Sequence, residues 1–558
     1  MQPLSLDPTD DHAKPVFKDA TTCAKWLGQL QLTNLHHAHG VLRMQLDEFN
    51  RYPIRGIERL HTLEQLREAV TSIQDDYAKK LVAKKLPLSH DEFTIFAAIV
   101  GMWQGMVTGY QRCLQNCMAG DAQLAVYGAL ICQRCLLYIG LQIFEHLHNG
   151  YEFDSKLWSQ LHQIYALCEG KGWQLKEITD DLNGQAHTFS CNAIYTKILL
   201  ACHAYRADLP RHLMKLMDRW LTLWSPTIAV ERRYAASNGV IAPLAVNLDS
   251  ASGLQPSQLT APSDHLRYLV MAPLSKLIRV KTIQLQRGQS PQQLDLGDDC
   301  NSAECVAFLN YLHQYWCEGR DSRMDERQSA TQQQAQVCYG MESCFAYIAN
   351  RPFQQPAKDT ALSRKQIAAL DRAQSDTNRH DLAIMGMVLE TWQIEDESIR
   401  GARLLREGKF GVRLGTGQLV AVRPTNADAF TVGTVSWVKV TQAGRLHIGV
   451  RYLPGLPQRA LEIAPLSTGV RYQPGLPQAV AMKTTGINTT ESDKFVAALL
   501  LPAVLMPKIP ASLIIPRNWF KPGRVVEIVQ VDKKSLLLKM KLSIEKGSDY
   551  ERISFTEI

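Results

Sequence analysis

The chain has 558 residues, of which 46% are hydrophobic and 21% are charged. This composition is typical of a globular protein, and the length predicts three or four domains or one large helical array. The net charge of +7 is compatible with an anionic ligand but is far below that of a histone-like nucleic-acid binder. The longest apolar stretches are interrupted by Gln104 or by Lys508 and prolines, so we predict no membrane span.

The N-terminal residues and the cysteines predict the cellular compartment. The first residues include acidic side chains and no apolar core, so we expect no secretory signal and a cytoplasmic protein. The cysteines, 13 in number, are then expected to be reduced thiols. Cys113, Cys117, Cys132 and Cys135 have spacings that zinc ligands could have. Both pairs fall in helical patterns without glycine-rich turns, which favours core packing, and we predict no metal site.

Residues 1–310 are predicted to be mainly helical, because apolar residues recur with a helical period in successive blocks. Glycine and proline fall between the blocks, and no fixed repeat is found. After residue 225 the runs become short, and a β-branched stretch at 272–288 indicates a small β region or an irregular cover. The following block is helical again, with Asp299 or Ser302 as its N-cap. We expect the helical part to be a partner-binding or output module.

The last third of the chain is predicted to be β, because alternating or β-branched runs are separated by turn residues. GVRYLPGLPQ at 449–458 recurs as GVRYQPGLPQ at 469–478. Two similar β modules or a local duplication in a linker would each explain this repeat. The predicted fold class is multidomain α+β. A large all-α N-terminal region (1–310) is followed by an antiparallel β-barrel (311–460) and a further small β-rich module (461–558).

The sequence contains none of the common signatures of catalysis. The Walker loop, G-x-G-x-x-G, H-E-x-x-H and G-x-S-x-G are all missing. We therefore predict that the protein is not an enzyme and has no catalytic residues and no cofactor. The aromatic and basic strand motif of RNA-binding sheets is missing too, so we predict no nucleic-acid partner.

Two short motifs in the C-terminal half indicate a ligand site. R-x-x-x-R precedes the β region, and D-x-S-x-x-G lies between two strand-like runs. Two later strands end in G-x-V-x-W at 433–437 and G-V-x-Y at 449–452. In this order the motifs resemble the PilZ domain, a β-barrel receptor for cyclic di-GMP, over about a quarter of the chain. The candidate ligand-binding residues are Arg323, Arg327, Asp396, Ser398 and Gly401.

The resemblance implies a role for each of these residues. The guanidinium groups of Arg323 and Arg327 would bind phosphate and guanine and could stack on the bases. Asp396 would accept hydrogen bonds from guanine, and Ser398 would add an adaptable donor. Gly401 would let the backbone approach closely.

Two functions are compatible with these motifs. The first is a second-messenger receptor that couples cyclic di-GMP binding in the barrel to a helical module, which binds a protein partner. It would neither make nor degrade the nucleotide, because the sequence lacks the G-G-D-E-F and E-A-L signatures. The alternative is a helical scaffold or adaptor whose PilZ-like domain no longer binds nucleotide.

The spacing between the two motifs departs from the family pattern. The family usually has only a strand pair there, so we predict an insertion near 350–382. A first strand within 336–348 would then pair antiparallel with a second strand at 387–395. If the arginine pair is instead Arg372 and Arg379, the spacing is wrong and the site is degenerate. Further basic residues could add phosphate contacts or be solvated strand ends: Arg320, Arg400, Arg403, Arg406 and Arg413.

Overall fold

The computed structural model divides the chain into two compact units. The first comprises residues 1–83 and 88–322, and the second comprises residues 84–87 and 323–558. The structure describes residues 6–31, 33–180, 182, 187–234, 243–318, 328–329, 333–355, 382, 385–398, 400–408, 411–453, 476–484, 494–503, 509–529 and 535–558.

Helices dominate the described part of the first unit. They are α1 (Ala20–Gln29), α2 (Leu35–Arg51), α3 (Gly56–Ala78), α4 (His90–Met118), α5 (Ala122–Ala125), α6 (Gly128–His148), α7 (Lys156–Gly170), α8 (Cys191–Ala204), α9 (Arg211–Trp224), α10 (Ala272–Gln286) and α11 (Ser302–His313), which continues into a π-helical turn at Gln314–Glu318. The long helix α4 packs against α3 and α6, and one hydrophobic core extends from Phe17 to Cys317. The predicted large helical region is therefore confirmed.

Within the described residues, α4 is long and apolar enough to cross a membrane by length and composition. Half of its most apolar window is buried inside the protein. The core helix of a globular protein has the same two properties, so α4 is weak evidence for a membrane span.

Short strands interrupt the helices in the region after residue 225, where the sequence predicts short runs, and also before it. They are β1 (Ile178–Asp180) paired with β2 (His187–Phe189), and a sheet of β3 (Val230–Glu231), β4 (Leu244–Asn247), β5 (Gln255–Pro256) and β6 (Leu266–Leu269) in the order β3-β6-β4-β5. The β-branched stretch that follows is helix α10, so a β assignment there is wrong. Pro273 suits the first helical turn, and Leu274, Ile278 and Leu285 are buried at helical spacing.

The start of α11 differs from the prediction in two ways. Its N-cap is Asn301, which accepts a hydrogen bond from the backbone amide three residues later at 2.9 Å, rather than Asp299 or Ser302. In addition, Cys300 and Cys305 form a disulfide, although reduced thiols were expected. The turn into the helix brings their Cα atoms to 6.2 Å, a separation that a disulfide can bridge.

Strands dominate the described part of the second unit, which contains one helix, α12 (Gly340–Ala349). The strands are β7 (Gln328–Ser329), β8 (Gln334–Tyr339), β9 (Leu389–Ser398), β10 (Gly401–Arg406), β11 (Leu419–Pro424), β12 (Thr431–Val440), β13 (Leu446–Tyr452), β14 (Gln478–Thr484), β15 (Val496–Leu501), β16 (Ser512–Pro516), β17 (Val525–Val529), β18 (Ser535–Lys546) and β19 (Tyr550–Glu557).

These strands form two closed antiparallel barrels. In the first barrel the order is β10-β13-β12-β11-β8-β9, and β9 pairs again with β10, while the short β7 extends along β9. In the second barrel the order is β14-β15-β16-β19-β18-β17, with β17 pairing back to β14. The predicted multidomain α+β fold class, with two β modules after a helical region, is confirmed.

The antiparallel pair predicted around the motif gap is present. Strand β8 pairs with β9, with Cys338 opposite Leu389. The strand is shorter than the predicted 336–348, because the chain turns at Gly340, which has a φ of +74° that favours glycine, and continues as α12. Most of the predicted insertion at 350–382 lies outside the described residues.

Helix α12 joins the two barrels in one hydrophobic core. The core includes Cys338 and Ala421 of the first barrel, Phe345 of α12, and Leu499 and Tyr550 of the second barrel. The turn between β18 and β19 also donates a backbone hydrogen bond to the turn before β11 at 2.7 Å. The second barrel is therefore anchored to the outer surface of the first.

Candidate functional site

The D-x-S-x-x-G motif builds the connection from β9 to β10. Ser398 lies on β9 directly opposite Gly401, the first residue of β10. The Ser398 hydroxyl donates to the Gly401 carbonyl oxygen and accepts from the Arg400 amide, both at 3.3 Å. A β-carbon at Gly401 would lie 2.1 Å from the carbonyl oxygen of Val450, so only glycine allows β10 and β13 to approach here. The motif thus fixes the strand end that carries Asp396.

Strand β7 places the residues that directly follow the arginine motif beside strand β9, which carries the D-x-S-x-x-G motif. Arg323 and Arg327 themselves lie outside the described residues. The first residue of β7 directly follows Arg327 in the sequence, and its second residue, Ser329, is paired with Asp396 of β9. The strand that follows R-x-x-x-R is therefore hydrogen-bonded to the strand that carries the aspartate of D-x-S-x-x-G.

The strand register adds a cation and an aromatic ring to the site. Asp396, Arg403, Gly449 and Trp437 lie opposite one another in turn across β9, β10, β13 and β12. The Arg403 guanidinium lies 5.9 Å from the centre of the Trp437 ring. A β-carbon at Gly449 would lie 2.0 Å from Nε1 of Trp437, so the indole occupies the space above this glycine. A partly exposed guanidinium over an indole is a surface on which a planar base can stack.

Glu395 holds the Arg403 side chain beside this ring. Its carboxylate lies 2.5 Å from Arg403 Nε and 3.1 Å from Nδ1 of His447. The Arg403 side chain is 42% exposed. Ion pairs of this exposure contribute at most about 1 kcal/mol, so an anionic ligand can compete for Arg403.

Arg406 is buried in the interior of the first barrel and is not a solvated strand end. Its Nη1 donates to Glu390 at 2.9 Å and to the Val412 carbonyl at 3.0 Å, and its guanidinium lies over Trp392. Burial raises the pKa of Glu390, but hydrogen bonds from the Val412 amide, Arg406 and Tyr339 outweigh burial and lower the pKa below its ordinary value. This network stabilises the barrel.

Arg413 forms hydrogen bonds with backbone carbonyl groups within the second unit. Its guanidinium donates to the carbonyl oxygens of Pro87 and Lys85, both at 2.9 Å. Leu86 and Leu414 exchange backbone hydrogen bonds of 2.8 and 2.7 Å beside it. Arg413 thus ties residues 84–87 to the loop before β11. The remaining basic residues of interest fall outside the described part of the chain: Arg320, Arg372 and Arg379.

The cysteines with zinc-like spacing line the packing of α4 against α6. All four are buried, and burial raises the pKa of Cys113 to about 12. A group of three or more His, Cys, Asp or Glu side chains that could hold a metal ion is not found among the described residues.

The sequence predicts Asp396, Ser398 and Gly401 as site residues, and the structure brings them together at one strand connection. It does not predict Arg403 and Trp437 as a pair. Trp437 is only part of a family pattern, and Arg403 is one of several basic residues. Their contact depends on the register shift between Val435 and Trp437 in β12, which places Trp437 opposite Gly449, the residue that also lies opposite Arg403.

Two segments of this chain match models of known domain families. Residues 21–235 match the N-terminal domain of the cyclic-di-GMP receptor FimW, and residues 480–558 match the FimW C-terminal β-barrel domain. The cyclic-di-GMP receptor FimW of Pseudomonas aeruginosa is 21% identical over 573 residues, which covers 93% of this chain and 88% of the relative. The chain is thus similar to this receptor over most of its length, and the first barrel lies between the two matched segments.

Proposed function

We propose that the protein is a cyclic di-GMP receptor that binds the nucleotide on the first barrel, around Asp396. The main support for this proposal is the pairing of β7 with β9. This pairing joins the strand that directly follows R-x-x-x-R to the strand that contains the aspartate of D-x-S-x-x-G. The similarity to FimW, a receptor for cyclic di-GMP, supports the identity of the ligand. The order of the motifs supports the first barrel as the PilZ-like domain.

The ligand's two phosphates and two guanines match the chemistry of this surface. Arg323 and Arg327 would form charge-assisted hydrogen bonds with phosphate oxygens and guanine. Asp396 would accept from the N1–H and N2–H donors of guanine. The guanidinium of Arg403 over Trp437 offers a stacking surface for a base.

Ser398 and Gly401 would act mainly by shaping the site. The Ser398 hydroxyl already bonds within the turn, and Gly401 allows the close approach of β13. Both residues therefore hold Asp396 in place against the stacking surface.

The helical unit would then serve as the protein-binding output module of a cytoplasmic receptor that is not an enzyme. Its size and the lack of catalytic signatures in the sequence support this role. A scaffold with an inactive barrel is the alternative, and ligand binding separates the two.

Titration calorimetry of the full chain with cyclic di-GMP tests the proposal. We expect saturable binding that is strongly weakened by Asp396→Ala. The matched control is Asp428→Ala, which removes an exposed aspartate from the connection between β11 and β12 of the same barrel and should leave affinity unchanged. Failure of the wild-type chain to bind would overturn the proposal and favour the scaffold.

A further inference from the structure

Arg451 lies beside the D-x-S-x-x-G connection, on the strand next to it. In the β10–β13 register it is directly opposite Gly401, which is itself opposite Ser398 on β9. Residues opposite one another in antiparallel strands have their side chains on the same face of the sheet. Because Gly401 has no side chain, nothing from β10 separates Arg451 from Ser398 along this row. A fourth arginine, in addition to Arg323, Arg327 and Arg403, therefore adjoins the proposed ligand site.

The side chain of Arg451 contacts the second barrel. Its Nη2 lies 2.5 Å from Oε1 of Glu545 on β18, and the same oxygen accepts from the Tyr550 hydroxyl at 2.8 Å. Arg451 is 48% exposed and Glu545 is 23% exposed. An ion pair this exposed is weak, because water and salt screen it.

A phosphate group can compete with this carboxylate. Guanidinium and phosphate form two parallel charge-assisted hydrogen bonds, which are stronger than the single contact to Glu545. Glu545 would not lose every cationic neighbour, because buried Arg552 lies opposite it in the β18–β19 register. That register shifts between Ser543 and Glu545, so the pairing is already irregular at this end of the hairpin.

We propose that Arg451 is a further ligand-contacting residue, which exchanges Glu545 for a phosphate of the bound nucleotide. The proposal rests on the function proposed above and extends it. Binding at the first barrel would break its ion pair with the second barrel and release the β18–β19 hairpin end. The second barrel would thereby respond to ligand binding without contacting the ligand.

Two substitutions with opposite expected effects test this exchange in the full chain. Arg451→Gln should weaken cyclic di-GMP binding about tenfold, because a charge-assisted contact is lost. Glu545→Gln should strengthen binding about threefold, because the competing carboxylate is removed while a hydrogen-bond acceptor for Tyr550 remains. The double variant should behave like Arg451→Gln, since Glu545 acts through Arg451. Arg445→Gln, at an exposed arginine in the turn between β12 and β13, is the matched control.

Hydrogen exchange gives an independent readout. Amides at 542–550 should exchange faster when cyclic di-GMP is added to the wild-type chain, and this change should be absent in Arg451→Gln. A folding defect cannot produce the tighter binding expected for Glu545→Gln.

The outcomes separate this inference from the proposed function. If the wild-type chain does not bind, the proposed function fails and this inference fails with it. If the wild-type chain binds but neither substitution changes affinity, the site stands and the exchange is wrong. If both substitutions weaken binding, the ion pair only supports the site structurally, and the exchange is again wrong.

Discussion

Ser329 lies directly opposite Asp396 in the antiparallel pair of β7 and β9. The two residues are far apart in the sequence. The strand register nevertheless places the residues that follow the arginine motif beside the aspartate of D-x-S-x-x-G. A long excursion between the two motifs is therefore compatible with one shared site, because the strand pairing rather than the spacing sets their distance.

The arginine motif can be tested residue by residue. Arg323→Ala and Arg327→Ala should each remove charge-assisted hydrogen bonds worth about 1.5–3 kcal/mol, which lowers affinity for cyclic di-GMP roughly 10- to 150-fold. Calorimetry measures the loss, with Arg445→Ala as the control for an exposed arginine elsewhere on the barrel. Unchanged affinity in both motif variants would exclude them from the site and leave Arg372 and Arg379 to be examined.

The stacking surface depends on a glycine. In Gly449→Ala the new β-carbon would overlap Nε1 of Trp437, so the indole must move away from Arg403. We expect weaker nucleotide binding, a changed tryptophan fluorescence spectrum and a loss of about 1–3 kcal/mol in the free energy of unfolding.

Gly28→Ala in helix α1 is the control for this substitution. A β-carbon there meets no atom within 4 Å, so it should leave binding unchanged and stabilise the helix by about 0.5–1 kcal/mol. Retained affinity and an unchanged spectrum in Gly449→Ala would show that the indole is not part of the binding surface.

The buried ion pair of the first barrel predicts a large stability effect. Arg406→Ala leaves the Glu390 carboxylate without its guanidinium partner, so we expect a loss of about 3–5 kcal/mol in the free energy of unfolding of the second unit. Urea unfolding followed by far-UV circular dichroism measures it, with Arg445→Ala as the solvent-exposed comparison. Equal stability of the two variants would contradict the buried position of Arg406.

The same carboxylate predicts a pH dependence. Because the pKa of Glu390 is lowered in the folded state from its ordinary 4.5, the unfolded chain binds this proton more tightly. Its contribution to stability is therefore full above pH 4.5 and declines as the pH falls through the folded pKa. Unfolding curves from pH 7 to pH 3 should show a shallower acid loss for Glu390→Gln than for the wild type. Parallel curves would mean that this group does not titrate with folding.

How far the sequence predicts the structure differs between the motif and its surroundings. The strands of the first barrel and the β8–β9 pair follow from alternation and turn residues, and the motif identifies the connection at Gly401. The turn at Gly340 and the helix α12 that begins there cannot be predicted in this way, because a buried strand and a short buried helix have similar composition.

The same limit applies to individual side chains. Arg406 and Arg403 are both arginines on β10, but one is buried against Glu390 and the other lies over Trp437 on the outer surface. They are three residues apart, so the alternation of the strand places them on opposite faces, but alternation alone does not say which face is the interior. Only the closed barrel, with its register fixed, shows which arginine faces the ligand surface.

The most direct test of the central claim is hydrogen exchange on the full chain with and without saturating cyclic di-GMP. The account predicts slower exchange at 396–403 and 433–437, the segments that carry the motif connection and Trp437, and no such protection in Asp396→Ala. Protection confined to the helical unit or to the second barrel would contradict a site on the first barrel, even if the nucleotide binds.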